Sequence, residues 1–171
     1  GGYEAITLTN VDTTTSGAIT VTNYANNIVA TDAAALGGAD TDDVTLTTTS
    51  TGIVSLGAVS AATSGDVTIS SVGTITDITG AQDDVAEITA DVFTVSAATA
   101  IGTGSAQVDV NATTVNLTAT GDTYLDTVGS GGVAITAALT GGNIVIDGRN
   151  TANDGGYEAI TLTNVDTTTS G

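Results

Sequence analysis

The sequence has no cysteine, proline, methionine, tryptophan, histidine or lysine, and a single arginine, Arg149, among its 171 residues. Each absence excludes something. Without cysteine, no disulfide contributes to stability. Without cysteine and methionine there is no easily oxidised sulfur. Nineteen acids against one base give a net charge of -18. Nucleic-acid binding needs Lys and Arg to neutralise phosphate, so this balance argues against it. It argues equally against anionic membrane surfaces. No apolar run approaches the ~20 residues of a spanning helix, and no secretory leader pattern is visible. Trypsin-like proteases find almost nothing to cut. Catalysis lacks its usual means: a Ser or Thr nucleophile has no activating base, and the paired carboxylates fall in turn sequences rather than in an evident cleft. The chain is read as non-enzymatic.

What is present is small, β-branched and acidic. Threonine is the commonest residue, at 37. Aromatics make up 3% and hydrophobic residues 40%, the latter almost wholly Ala, Val, Ile and Leu. Few aromatics and high charge are marks of disorder. A mean hydropathy of +0.30 and abundant Val, Ile and Thr, which suit a pleated half-buried surface, argue instead for a nearly all-β fold. A core with one Phe suits a thin stack of aliphatic side chains.

Short runs of apolar–Thr–apolar–Thr recur: Ile6–Thr9, Ile19–Thr22, Val44–Thr47, Val67–Ser70, Phe93–Ser96, Val115–Thr118, Val133–Thr136 and Ile144–Asp147. Such alternation marks strands with one buried face, so Ile6 and Leu8 point inward while Thr7 and Thr9 point out. Gly, Asn, Asp and Ser clusters between the runs are turn chemistry. One helical turn is expected at Ala33–Leu36, stopped by Gly37 and Gly38.

The spacing is decisive. Leu46, Ile69, Val95, Leu117 and Ile135 are 23, 26, 22 and 18 residues apart. Hairpin proteins carry turn signals every ~8–12 residues, whereas a step near 22 is long enough for a coil that winds around and stacks on itself. The expectation is a right-handed parallel β-helix, or β-solenoid, in which each inward Val, Ile or Leu contributes roughly 1.5–3 kcal/mol on full burial. Outward Thr and Asn form ladders between coils. The rival architecture is a string of Ig-like β-sandwiches.

The first seventeen residues, Gly1–Gly17, return unchanged as Gly155–Gly171, an offset of 154. A fixed-period duplication is the signature of a repeat architecture. We read residues 1–154 as one full repeat and 155–171 as the start of the next, joined without a linker. Dividing 154 by 22 gives about seven coils, which at ~4.8 Å each advance about 34 Å. A solenoid continuing into another copy of itself has no open edge at the junction. Ile160 is expected to stack seven coils beyond Ile6, on the same face.

The segment Asp91–Thr120, with its Ile101-Gly102 pair and its Val115–Thr120 strand, resembles the coils of filamentous-haemagglutinin-like giant surface proteins of bacteria. Gly52–Asp77 looks like the alternating coils of that family. The resemblance implies a right-handed parallel β-helix in secreted or surface-anchored fibres, commonly adhesins or matrix components, and no catalytic residues. The function expected is therefore mechanical. The chain would be a segment of a long extracellular or cell-surface fibre, sheath or biofilm filament. Its partner would be itself, through end-to-end continuation and lateral association. The alternatives are a calcium-dependent adhesin stalk of Ig-like repeats and a carbohydrate- or ice-binding solenoid.

Acidic turns supply candidate ligands. Asp40, Asp42 and Asp43 form one group; Asp83 and Asp84, with Glu87 and Asp91 near in sequence, form a second; Asp147 and Asp154, with Asn150, form a third. Hard cations want several oxygens, so calcium or cation bridging between fibres is the functional reading. No EF-hand spacing is present, and no cofactor is required. A solvated acidic rim that keeps fibres apart is the competing reading. Arg149 is read as a turn residue paired with an acid of an adjacent coil. Thr-x-Thr pairs such as Thr20/Thr22 and Thr45/Thr47 suggest ice binding, but the irregular steps are expected to break their register. Asn111 and Asn116 stand in glycosylation sequons.

Overall fold

The structure, a computed structural model, describes residues 3–80, 83–129, 131–148 and 159–167. In chain order the strands are β1 (Ile6–Leu8), β2 (Val11–Thr13), β3 (Ile19–Asn23), β4 (Ile28–Ala35), β5 (Val44–Thr48), β6 (Val54–Ala61) and β7 (Val67–Ser70). Then follow β8 (Ile75–Asp77), β9 (Ile88–Ala97), β10 (Val108–Ala119), β11 (Thr123–Thr127), β12 (Val133–Leu139), β13 (Ile144–Asp147) and β14 (Ile160–Thr167). Every pairing between these strands is parallel. The chain is a β-solenoid. Ig-like sandwiches are built from antiparallel strands, and that rival is overturned.

Each coil contributes to three rows of strands. The first row holds β1, the starts of β4 and β6, then β8, Ile101, β11 and β13. The second holds β2, the ends of β4 and β6, the starts of β9 and β10, and the end of β11. The third holds β3, β5, β7, the ends of β9 and β10, then β12 and β14. Strand alternation sends one residue in two to the axis. Columns such as Ile28–Val54–Ile75–Ile101 and Val44–Val67–Phe93–Val115 are thereby fully enclosed. Phe93, the one Phe, is the largest fully buried side chain.

Down the first row, Ile6, Ile28, Val54, Ile75, Ile101, Thr123 and Ile144 lie one above another, in steps of 22, 26, 21, 26, 22 and 21 residues. The average is 23, close to the expected 22, and Ile6 to Ile144 make six turns. The excess over 22 sits in the turns and in a segment between β8 and β9, so coil length varies at corners while the rows keep register. The expected Leu46–Ile69–Val95–Leu117 column forms. Leu117 then pairs with Ala137, and Ile135 belongs with Val115.

Three expectations are corrected. Ala33–Ala35 is strand, not a helical turn, because it is paired on both sides, with Val11–Thr13 and with Val59–Ala61. Tertiary pairing overrides the helical propensity of three alanines. Next, the threonine columns stay in register. Thr20, Thr45, Thr68, Thr94, Asn116 and Thr136 face one another along the third row. The irregularity expected to break them is absorbed mainly at the corners, with one bulge inside the row that pairs Ser70 with Ala97. Finally, Ile160 does not continue the column of Ile6. It pairs with Val133 in the third row, and Leu162 stacks on Ile135. Ile160 follows Ile144 by less than any full coil step of the first row. Ile160 therefore stands about two-thirds of a coil beyond Ile144.

Candidate functional site

At a coil corner the backbone turns out of the ladder, and its N–H groups need another acceptor. Acidic side chains one coil away supply it. Gly17 N–H donates to Asp42 Oδ1 at 2.6 Å, Asp66 N–H to Asp43 Oδ1 at 2.9 Å, Val92 N–H to Asp66 Oδ1 at 3.2 Å, and Asn143 N–H to Asp122 Oδ1 at 2.8 Å. Much of the acid content is therefore structural capping.

The first predicted ligand group is used in this way. Asp42 is buried and also accepts from Ala39 N–H at 2.7 Å. The donors of Gly17 and Ala39 hold its carboxyl below the usual carboxylate range. Asp43 caps the next coil, and Asp40 is exposed. Their neighbour Asp66 is pushed up, chiefly by burial, with the charges of Asp43, Asp40 and Asp91 adding to it.

The second group is changed in membership. Among the described residues, one set of three carboxylates converges: Asp83, Glu87 and Asp109, with an oxygen of each within 4.8 Å of the others. Asp83 lies exposed in the segment between β8 and β9, where its Oδ1 accepts from Val85 N–H at 3.1 Å. Glu87 immediately precedes β9 and is 3% exposed. Asp109 lies near the start of β10 and is 1% exposed. The pairing of Val110 with Ile88 sets Asp109 beside Glu87, and Asp109 N–H donates to Glu87 Oε2 at 2.7 Å. Asp84, the one non-glycine residue with positive φ among those described, follows Asp83 in the turn but is not one of the three.

Burial dominates the electrostatics. It pushes the Glu87 carboxyl up to about 8, against the Asp109 N–H and with help from the charges of Asp109, Asp77 and Asp83. It pushes Asp109 up to about 7, with the charge of Asp126 as the next contributor. Asp126 is paired in register with Asp109, and Asp147 with Asp126. Acids thus occupy one corner on successive coils. Both oxygens of the Asp109 carboxylate lack a hydrogen-bond partner.

Asp109 escapes a reading of the sequence alone. In Val108-Asp109-Val110, alternation sends the Asp outward. The coil bends there instead, and all three residues are buried. The available signal was coil spacing: Glu87, Asp109, Asp126 and Asp147 are 22, 17 and 21 residues apart. From the third predicted group, Asp147 stands at the end of this column, while Asp154, Asn150 and also Arg149 lie outside the described residues.

In comparisons with known proteins, no family, no curated protein and no solved structure matches the chain.

Proposed function

We propose that the chain is a segment of a long extracellular β-solenoid fibre, built from 154-residue repeats that continue into one another, with a mechanical role in a filament, sheath or matrix. The observation carrying this reading is β14. It is the second copy of the β1–β2 sequence, here one strand, and it adds in parallel to β12 with a bulge at Thr163. Leu162 sits over Ile135 yet remains 57% exposed, as an inward-type side chain does when no coil lies above it. A following coil covers it and moves the open edge one coil further on. The absence of oxidisable sulfur and of nearly all tryptic sites suits long service outside a cell, and the resemblance to bacterial surface-fibre coils agrees with it.

The row shift gives the fibre a symmetry. Six turns bring Ile6 to Ile144, and the short stretch from Ile144 to Ile160 carries the chain from the first row to the third. Each repeat then holds about 6.7 coils (154 divided by 23) and rises about 32 Å at ~4.8 Å per coil. Successive repeats rotate by about one-third of a turn relative to whole coils, so equivalent features point in three directions along the fibre. Helical cryo-EM reconstruction of a chain of several tandem repeats tests this. The expected result is that rise per repeat together with that rotation. A rise several-fold larger refutes the continuous solenoid.

A second reading rests on the third row. Thr20/Thr22, Thr45/Thr47 and Thr68/Ser70, continued in one column by Thr94 and Asn116, present an array of hydroxyls and methyls, about 4.8 Å apart along the stack and about 6.6 Å along each strand, while a bulge that pairs Ser70 with Ala97 sets Ser96 out of the lattice. Such a two-dimensional lattice suits ordered water, and hence an ice surface. Ice-recrystallisation assays decide it. Activity that is lost on Thr68→Tyr supports this reading; inactivity of the wild-type chain removes it.

A further inference from the structure

We propose that Asp83, Glu87 and Asp109 form a binding site for a calcium-class divalent cation, which staples the segment between β8 and β9 to the corner of the solenoid. The convergence of three acids is one observation: an oxygen of each lies within 4.8 Å of the others, which is the span across a cation with ligands at about 2.4 Å. The second is the state of Asp109. Its side chain is 1% exposed, both of its carboxylate oxygens lack a hydrogen-bond donor, and it is aimed at the same point as the other two. Buried carboxylates in proteins are hydrogen-bonded, paired with a cation, protonated or bound to metal. No donor reaches the Asp109 carboxylate, and no basic side chain lies among the described residues. A proton on Asp109 would itself lack an acceptor, since neither oxygen has a hydrogen-bond partner. Glu87 accepts one N–H through Oε2, which orients the carboxylate and leaves lone pairs for a ligand.

The chemistry of the site selects the cation. All donors are carboxylate oxygens, which suit hard ions and not the softer metals that prefer His or Cys. Three acids from two coils and a turn do not form the near-ideal octahedron that magnesium demands, whereas calcium tolerates irregular oxygen sets completed by water. Two ligands are fixed by strand register and the third comes from an exposed turn. Binding therefore orders the turn and neutralises part of a corner where Asp77 and Asp126 are also close enough to repel the same carboxylates. The site is internal to one chain and does not depend on the fibre reading.

Calorimetric titration of the full chain with calcium chloride tests the proposal, after dialysis against chelator and in about 0.15 M salt to screen diffuse attraction. One site is expected, with a Kd of about 10⁻⁴ M or tighter. Asp83→Asn, an exposed substitution that leaves the core alone, is expected to weaken binding at least tenfold, and Asp109→Asn to do the same. Asp40→Asn, another exposed acid, is expected to leave the affinity unchanged. Absence of saturable binding to the wild-type chain overturns the proposal. So does an equal affinity of the wild type and Asp83→Asn, which decides the matter even where Asp109→Asn does not fold.

Discussion

Replacing Phe93 with alanine probes whether the stack is one continuous core. Phe93 is fully enclosed, with Val67 on the coil before it and Val115 on the coil after it in the same column. Its ring fills a width that its valine neighbours leave open. Losing the ring forfeits about 2 kcal/mol of transfer free energy. The neighbours are held by strand pairing and cannot close over the gap, so a cavity term of about 1–2 kcal/mol adds to it. The expected loss is about 3–4 kcal/mol, a large fraction of the ~5–15 kcal/mol typical of a domain. Guanidinium unfolding followed by circular dichroism measures it, with the midpoint falling and the slope unchanged. Because each coil touches only its neighbours, a chain lengthened by further repeats should lose the same amount locally while its distant coils keep their stability. A loss below about 1 kcal/mol refutes the reasoning, since it would place Phe93 outside a tightly packed interior.

Backbone geometry and titration give further checks. Gly52 has φ of +120°, and a Cβ there would stand 2.2 Å from the Asn26 carbonyl oxygen. Gly52→Ala should cost roughly 1–3 kcal/mol, whereas Gly131→Ala, with open space around it, should stay within about 0.5 kcal/mol; equal melting temperatures for the two variants would contradict the tight corner. In chelator, stability should fall as pH rises. Glu87 moves from 4.5 to about 8 and Asp109 from 3.8 to about 7 on folding, so between about pH 3.8 and 8 the folded chain holds protons that the unfolded chain has released. The stabilisation is fully present below that window and gone above it. Urea unfolding across this range checks the sign, and Asp109→Asn should flatten the slope; a slope identical to wild type counts against the assignment.

The alternation of Val, Ile and Leu with Thr was enough to identify strands, and its recurrence at a step too long for hairpins was enough to identify coils. Both are local or near-periodic properties, which a sequence displays directly. Ile6 and Leu8 facing in, and the Leu46–Ile69–Val95–Leu117 column, follow from them. Ala33–Ala35 is different. Its local preference is helical, and only the strands on either side make it β.

The candidate site was half legible. Asp83 stands out in an acidic turn, but Asp109 looks like an outward strand residue until the bend at Val108–Val110 turns it inside. Asp42 and Asp43 stand out as acids in the same way, but their capping of backbone N–H groups one coil away is visible only in the fold. Bends and partners one coil away depend on where the chain lies after a full turn, and no window of sequence contains that. The threonine ladder and the position of β14 have the same origin. Coil lengths look irregular in the sequence, yet strand pairing fixes register in the rows and expels the surplus at corners. The all-β character, the aliphatic interior and the coiled architecture could be read from the residues in order, because all three rest on composition and periodicity. Which acids are buried together, and that Ile160–Thr167 of the second copy lie in the third row, emerged from the folded chain alone. Both depend on the length that remains once whole turns are taken away.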